Sequence, residues 1–430
     1  MRDSTSPTTP SNWSNMSVYL TGGQIRSALA NTPQITFEVT DACNLRCEYC
    51  AYGKLYADYD KREDKMLPTE TAKQFIDYMA ALWVSPDNHS VNNNLYIGFY
   101  GGEPLLNMPF IKEVVGYLEA GDHAKHFAYN MTTNAMLLDR HMDFLVENDF
   151  SLLVSLDGNA ENDSYRVKAN GMPSFEQVVK NVDKLRTAYP EYFAKKVNFN
   201  AVLHNRNSVD SIRGFIKERY GKTPRIGDIN DAGIRDDMRE EFKQMYRNSF
   251  ESLLQNENYD EIEKEMFLSS PTYHSATIFL MQNSPFKYEN YNELLFGKNE
   301  KIAFCPTGTC IPFSRKVFVT VNGKILPCER IGHQYSVGQI GDNGVLIDFE
   351  AIAEKYNNYY SRLEKQCLLC KNQRNCLQCM FNLDGLEKGN CSCNGFMDEK
   401  KFEQYCQTQM AFFARHPEAY SEIMKNVIYK

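Results

Sequence analysis

From residue 35 onward, short apolar runs alternate with stretches whose apolar residues recur every three or four positions. The runs Ile35–Thr40, Leu95–Tyr100, His126–Thr133, Leu152–Asp157 and Val197–His204 predict strands, and Arg225–Ile229 predicts a weaker sixth. Between them, Thr69–Trp83, Pro109–Ala120, Arg140–Asn148, Ser174–Ala188 and Ser208–Tyr220 carry the helical period. Strands alternating with helices of this length imply right-handed βαβ crossovers and a parallel sheet. The predicted fold class is therefore α/β, a partial (β/α)6 TIM-like barrel. Chemistry in such a barrel belongs at the carboxyl ends of the strands.

The pattern changes after residue 235. Phe242, Met245, Tyr246, Phe250, Leu253 and Leu254 recur at helical spacing within the charged stretch 237–267, which predicts one amphipathic helix. Its apolar stripe is read as core packing. Four segments follow: an N-terminal tail (1–34), the barrel (35–235), a helical connector (236–304) and a cysteine-rich C-terminal domain (305–430). The first sixteen residues are rich in Ser, Thr, Pro and Asn and lack the apolar region of a secretion signal.

Composition narrows the class. With 43% hydrophobic and 24% charged residues over 430 positions, the chain reads as an ordinary globular protein large enough for two cores. A net charge of −8 argues against a nucleic-acid partner, since a phosphate backbone calls for a basic face. No apolar run approaches a membrane span, so no membrane is expected. Thirteen cysteines in short spacings suit metal binding in a reducing compartment, and the expected location is cytoplasmic.

Three of these cysteines carry the sharpest chemistry. Cys43, Cys47 and Cys50 stand in the spacing C-x3-C-x2-C directly after the first predicted strand. A [4Fe–4S] cluster normally takes four cysteines, so three from one loop leave one iron open. Zinc loops usually pair two C-x2-C knuckles or add histidine, and no histidine lies within the first 80 residues. After the second strand comes Tyr100-Gly101-Gly102-Glu103-Pro104, where glycines admit close backbone approach and a carboxylate can accept from a cationic amine. Thr133-Asn134 ends the third strand and Ser155-Leu156-Asp157-Gly158 the fourth. Asn134 and Ser155 are also the residue types that cap helices and form turns.

The loop with its Asn44, Leu45 and Tyr49 resembles that of the radical S-adenosylmethionine enzymes. That resemblance implies an open iron that chelates S-adenosylmethionine and a reduced cluster that cleaves it to a 5′-deoxyadenosyl radical. It implies cofactor roles for Tyr49 beside the adenine, for Gly101, Gly102 and Glu103 at the methionine amino group, and for Asn134, Ser155 and Arg166 at the ribose and carboxylate. Asp157 is read as structural. Ala135 departs from the pattern, where a glycine is common. An external electron donor of flavodoxin or ferredoxin type is implied as a partner.

Ten further cysteines follow residue 300, with Lys316–Val321 and Lys324–Pro327 flanking the hairpin signal Asn322-Gly323. Cys367-x2-Cys370-x5-Cys376-x2-Cys379 forms two close knuckles, which also fit zinc. The layout resembles the SPASM domain, which implies two auxiliary [4Fe–4S] clusters. By that resemblance Cys305, Cys310, Cys328 and Cys379 hold one, and Cys367, Cys370 and Cys376 hold the other with a later cysteine. Cys391, Cys393 and Cys406 compete for that place, and Tyr405-Cys406-Gln407 tips the choice slightly to Cys406.

The resemblance implies a ribosomally made precursor peptide, or a protein side chain, as substrate. The expected change is a thioether, a carbon–carbon crosslink or a related bond. The alternative is an anaerobic sulfatase-maturing enzyme, which makes formylglycine from Cys or Ser. In those enzymes an aspartate base follows an auxiliary-cluster cysteine, and here Glu329 stands there as candidate catalytic residue.

Overall fold

The computed structural model describes residues 19–90, 94–123, 125–231, 233–256, 258–266, 270–283, 307–373, 376–383 and 385–426. Six parallel strands, β1 (Gln34–Thr40), β2 (Asn94–Gly101), β3 (His126–Thr133), β4 (Ser151–Ser155), β5 (Val197–Leu203) and β6 (Arg225–Asp228), run in sequence order across the sheet. After α1 (Gly22–Ala30), crossovers are made by α2 (Thr69–Trp83), α3 (Met108–Ala120), α4 (Leu138–Glu147), α5 (Phe175–Ala188) with α6 (Pro190–Lys196), and α7 (Val209–Tyr220). The barrel elements thus form where periodicity predicts them, within three residues at each end.

β1 explains the centre of the fold. Its burial is near-continuous, as expected for a parallel strand covered on both faces. Phe37 packs edge-on against Phe75 of α2 and Phe110 of α3, with ring centroids 6.5 and 6.2 Å away. On one edge Phe37 pairs in register with Phe99 of β2.

The other edge of β1 brings a departure from the separate C-terminal domain expected. The Asn322-Gly323 hairpin forms as β7 (Val317–Val319) and β8 (Lys324–Leu326), but β7 adds in parallel to β1, pairing Val319 with Phe37. β9 (Gly338–Gly341) and β10 (Gly344–Leu346) extend the meander, so one sheet of ten strands runs β10-β9-β8-β7-β1-β2-β3-β4-β5-β6. An unpaired β1 edge would expose a row of unmet backbone groups, and the hairpin satisfies them.

Two further expectations are corrected. Residues 19–34 are not a tail: α1 is closed by a Thr21/Gln24 capping box, and its Ile25 and Leu29 are fully buried. Leu20 and Asn357 exchange hydrogen bonds, which dock this segment on α12 (Phe349–Leu369). The single connector helix is instead three short ones, α8 (Arg239–Met245), α9 (Ser249–Leu254) and α10 (Tyr259–Met266), before α11 (Pro271–Asn283). The chain breaks because Tyr246 is extended and Asn248 caps the next helix, accepting from Phe250 and Glu251. Phe250 and Leu254, 43% and 53% exposed, therefore leave the buried stripe. The expected connector residues 284–304 lie outside the described residues, as do residues 1–18. α13 (Glu399–Arg415) and α14 (Pro417–Asn426) close the chain. Among the described residues no helix is long and apolar enough to cross a membrane.

The β1–β7 seam encloses one carboxyl. Glu38 is 1% exposed and accepts from Val321 N at 2.9 Å. Burial pushes it up to about 7 despite that bond. A group whose folded value is raised is ionised at a growing cost as pH climbs from about 4.5 to about 7. Glu38→Gln, which keeps the acceptor, should stabilise the protein more at high pH than at low. The gain should widen by about 1 kcal/mol between roughly pH 6 and pH 8, as read by anaerobic urea denaturation. A gain constant over that interval would show that Glu38 does not titrate there.

Candidate active site

The cysteine loop leaves the carboxyl end of β1 and is held from both sides. Asp41 accepts from Glu63 N at 3.0 Å and Lys65 N at 2.7 Å. Arg46 N and Glu48 N donate to the carbonyls of Val167 and Tyr165, at 2.7 and 3.2 Å. All three thiols are half-buried. Burial raises Cys43, and pushes Cys47 up to about 12, so neither loses its proton at neutral pH unless a cation takes the proton's place. Donors already face the sulfurs: Leu45 N lies 3.4 Å from Cys43 Sγ, and Arg62 Nη2 lies 3.5 Å from Cys50 Sγ. Arg62, which also stacks on Tyr52 at 4.6 Å, is a site residue that no sequence pattern marks.

The Gly101-Gly102 pair serves the chain itself. Gly101 has φ 125°, and a Cβ there would meet the Thr40 carbonyl at 2.2 Å. A Cβ on Gly102 would meet the Ala42 carbonyl at 2.0 Å. Gly102 N and Glu103 N donate to those same carbonyls, at 2.8 and 2.9 Å. The glycines thus let the end of β2 lie flat on the base of the cysteine loop.

Glu103 sits beneath this contact, fully buried. It accepts from Thr133 Oγ1 at 2.6 Å, Leu105 N at 3.1 Å and Asn134 N at 2.7 Å. Burial still raises its carboxyl, so a cation placed against it would be favoured. Asn134 turns its side chain to the loop, donating to Asn44 Oδ1 at 2.7 Å and lying 3.8 Å from Cys43 Sγ. The next residue, Ala135, has φ 59°, the left-handed region where a glycine is unstrained. Ser155 ends β4 half-buried, in register with Asn200.

Tyr49, Asp157 and Arg166 form one unit rather than separate contacts. The Tyr49 hydroxyl donates to Asp157 and accepts from Arg166 Nη1 at 3.0 Å. The Tyr49 ring stacks on His204 at 5.8 Å. Asp157 also accepts from Val202 N at 2.8 Å, which agrees with its structural reading. Arg166 Nε makes no hydrogen bond among the described residues but lies 3.7 Å from Asp163 Oδ1, in a buried ion pair.

The β7–β8 hairpin carries a second set of groups. Glu329 pairs with Lys316 at 3.0 Å and lies 3.7 Å from the Cys328 thiol, which burial pushes up to about 12. Burial raises the hydroxyls of Tyr59 and Tyr100, and the charges of Glu329 and Cys50 add to it. The loop bearing Tyr59 is stapled to the hairpin: Asp60 accepts from Lys324 Nζ at 2.7 Å and Asn322 Nδ2 at 3.0 Å. Tyr59, Asp60 and His333 escape sequence reasoning because a charged loop and a hairpin some 270 positions apart share no local pattern.

Cys367, Cys370, Cys376 and Cys393 line one cavity, and Cys391 is a close electrostatic neighbour. Gln366 Oε1 accepts from Cys393 N at 3.0 Å. Cys310 and Cys379 lie together beside Tyr356. Cys406, to which the sequence tips, does not line the cavity: it lies on α13, next to Tyr405, whose ring meets Phe279 of α11 at 5.8 Å. Cys305 lies outside the described residues. A larger cavity of about 580 Å³, between Glu48, Arg206 and Glu241, is lined by no cysteine.

The close approach at Gly102 can be tested directly. Gly102→Ala forces the Ala42 carbonyl or the end of β2 aside, a kind of overpacking that typically costs about 1–3 kcal/mol. Urea denaturation should show a loss in that range, and an unchanged midpoint would mean that the two segments do not touch.

Residues 37–218 match the family described as the Radical SAM superfamily. The chain is 22% identical over 402 residues to the cysteine-type anaerobic sulfatase-maturating enzyme of Clostridium novyi, covering 90% of this chain and 96% of that one. It is 30% identical over 205 residues to a mycofactocin maturase of Mycolicibacterium smegmatis, covering 46% of this chain and 45% of that one. The chain spans about half the length of the curated relatives it matches at 30% identity or more. The solved structure of native anSMEcpe with bound AdoMet and Kp18Cys peptide is similar in fold, with a TM-score of 0.56 at 18% identity, covering 91% of this chain and 99% of that one. Residues 37–218 of this chain are a radical SAM domain.

Proposed function

We propose that the chain is a radical S-adenosylmethionine enzyme that modifies a side chain of a ribosomally made precursor peptide, forming a thioether, a carbon–carbon crosslink or a related bond. One observation carries the reading. β1 runs into the Cys43–Cys50 loop and pairs on its other edge with β7 of the hairpin that leads to Cys328-Glu329, so two cysteine-bearing segments are built onto one strand. The relation to a mycofactocin maturase supports a peptide substrate.

Cys43, Cys47 and Cys50 would hold a [4Fe–4S] cluster, and three thiols on one loop with donors facing two of them fit that group. When bound, the cluster supplies the electron that cleaves S-adenosylmethionine to a 5′-deoxyadenosyl radical. The protein's own part is placement. The Arg166 guanidinium, beside Tyr49 of the loop, would meet the methionine carboxylate, and the buried Glu103 carboxyl retains acceptor capacity for the amino group. Asn134 and Tyr49 border the loop, and Ser155 ends the neighbouring strand. In the formylglycine alternative Glu329, held by Lys316, would be the base that takes a proton from the substrate, a role worth about 10²–10⁴ in rate. Cys367, Cys370, Cys376 and Cys393 form one auxiliary ligand set, and Cys310, Cys328 and Cys379 with Cys305 form the other.

A second reading, conversion of Cys or Ser to formylglycine, is favoured by the match to the sulfatase-maturating relative along nearly the whole chain. The two readings part in one experiment. The anaerobically reconstituted protein is given S-adenosylmethionine, dithionite and either a short precursor peptide encoded beside its gene or a Cys/Ser sulfatase peptide. A crosslinked precursor peptide, with 5′-deoxyadenosine released and both abolished by the joint change of Cys43, Cys47 and Cys50 to Ala, is the expected result. An aldehyde on the sulfatase peptide, trapped by a hydrazine, would promote the second reading. No 5′-deoxyadenosine with either peptide would overturn both.

The ligand assignment makes its own prediction. Cys393→Ala should lose about four iron atoms per chain, one [4Fe–4S] cluster, while Cys406→Ala keeps full iron content. The reverse outcome would return the ligand to Cys406.

A further inference from the structure

Away from the cysteines, α10 and the junction of α13 with α14 converge on three side chains that the proposed chemistry does not use. Asp260 and Glu263 stand three residues apart and so share one face of α10. His416 caps α13, its N–H donating to the Phe412 carbonyl at 2.9 Å. His416 Nε2 lies 3.8 Å from Asp260 Oδ1 and 3.9 Å from Glu263 Oε2, and the three donor atoms all fall within 4.8 Å of one another.

Among the described residues, two of these atoms are left without a hydrogen bond. Glu263 is fully buried and His416 is 8% exposed, yet Glu263 Oε2 and His416 Nε2 have no hydrogen-bond partner. At 3.9 Å they are too far apart to bond directly. The Phe412 ring lies 5.0 Å from the imidazole. A buried carboxylate oxygen and a ring nitrogen left unmet are costly unless a third group answers both. The far side of the carboxylate is already oriented: Tyr259 donates to Glu263 Oε1 at 2.7 Å and Ser270 at 3.4 Å. Such outer hydrogen bonds are what hold a metal-ligating carboxylate in place.

We propose that Asp260, Glu263 and His416 bind a divalent transition-metal ion of the zinc type. One imidazole nitrogen and two carboxylate oxygens suit such an ion, with bonds of about 2.0–2.2 Å. Binding would draw His416 closer to each carboxylate by about half an ångström. The exposed Asp260 leaves the outer positions to water. The ion joins α10 to the C-terminal helix pair, and no cysteine is among its ligands.

The test uses the anaerobically reconstituted protein, stripped of loose metal on a chelating resin and titrated with Zn2+. Wild type should take up about one equivalent more than Glu263→Gln and His416→Gln, with equal iron in all three proteins and a rise in Tm only in wild type. Asp260→Asn changes an exposed residue, so it should fold whatever happens to the other two. Its zinc affinity should fall about tenfold or more, since even an outer partner of a ligand is worth 10–100-fold. Equal zinc uptake by wild type and Asp260→Asn, or no uptake by wild type, would overturn the site.

Discussion

The pairing of β1 on both edges is the constraint on which the rest depends. β2 lies on one side and β7 on the other, so the carboxyl end of β1 is the place where the two halves of the chain meet. The cysteine loop starts there, the Gly101-Gly102 contact presses on its base, and the hairpin turn donates from Val321 N to Glu38. A six-strand sheet alone would hold the loop and leave β1 with a bare edge. With β7 added, that edge is satisfied by the segment that carries the second group of cysteines.

Burial sets the electrostatics of the same region. Thiols and carboxyls that would ionise in water are raised here, Cys47 and Cys328 to about 12 and Glu38 to about 7. A site of this kind holds its protons until a cation displaces them, which couples filling of the thiol sites to their charge. Arg62 and Arg166 are the cationic groups already inside, and each keeps a buried Nε without a hydrogen-bond partner. Arg166 is balanced by Asp163 at 3.7 Å, while Arg62 already lies 3.5 Å from a cysteine sulfur, an arrangement that suits anionic sulfur.

The two halves of the site differ in how they are held. Around Glu103 the chain closes on itself, with Thr133, Asn134 and Leu105 all bonded to one carboxyl. Near Glu329 the contacts are ion pairs between loops distant in sequence, Lys316 with Glu329 and Lys324 with Asp60. The first half belongs to the rigid sheet. The second depends on the hairpin docking, so substitutions in the Asp60 loop act on both halves at once.

Six barrel strands and their helices were legible from the chain alone, because a parallel strand buried on both faces and an amphipathic helix each leave a local period. The three-cysteine loop, the glycine pair, Glu103 and Asn134 were legible for a similar reason: each follows a strand end, within a few residues of it. What only the tertiary structure decided spans long separations. The docking of α1 on α12, the addition of β7 to β1, Arg62 at Cys50 and the presence of Cys393 but not Cys406 in the cavity lining leave no trace in any short window. The single connector helix failed for the opposite reason, since a helical period survived across breaks that Tyr246 and Asn248 impose through their own backbone and cap. Periodicity records which face of an element is buried. It does not record against what, because hydrophobic burial has no direction and an open sheet edge accepts any strand that reaches it.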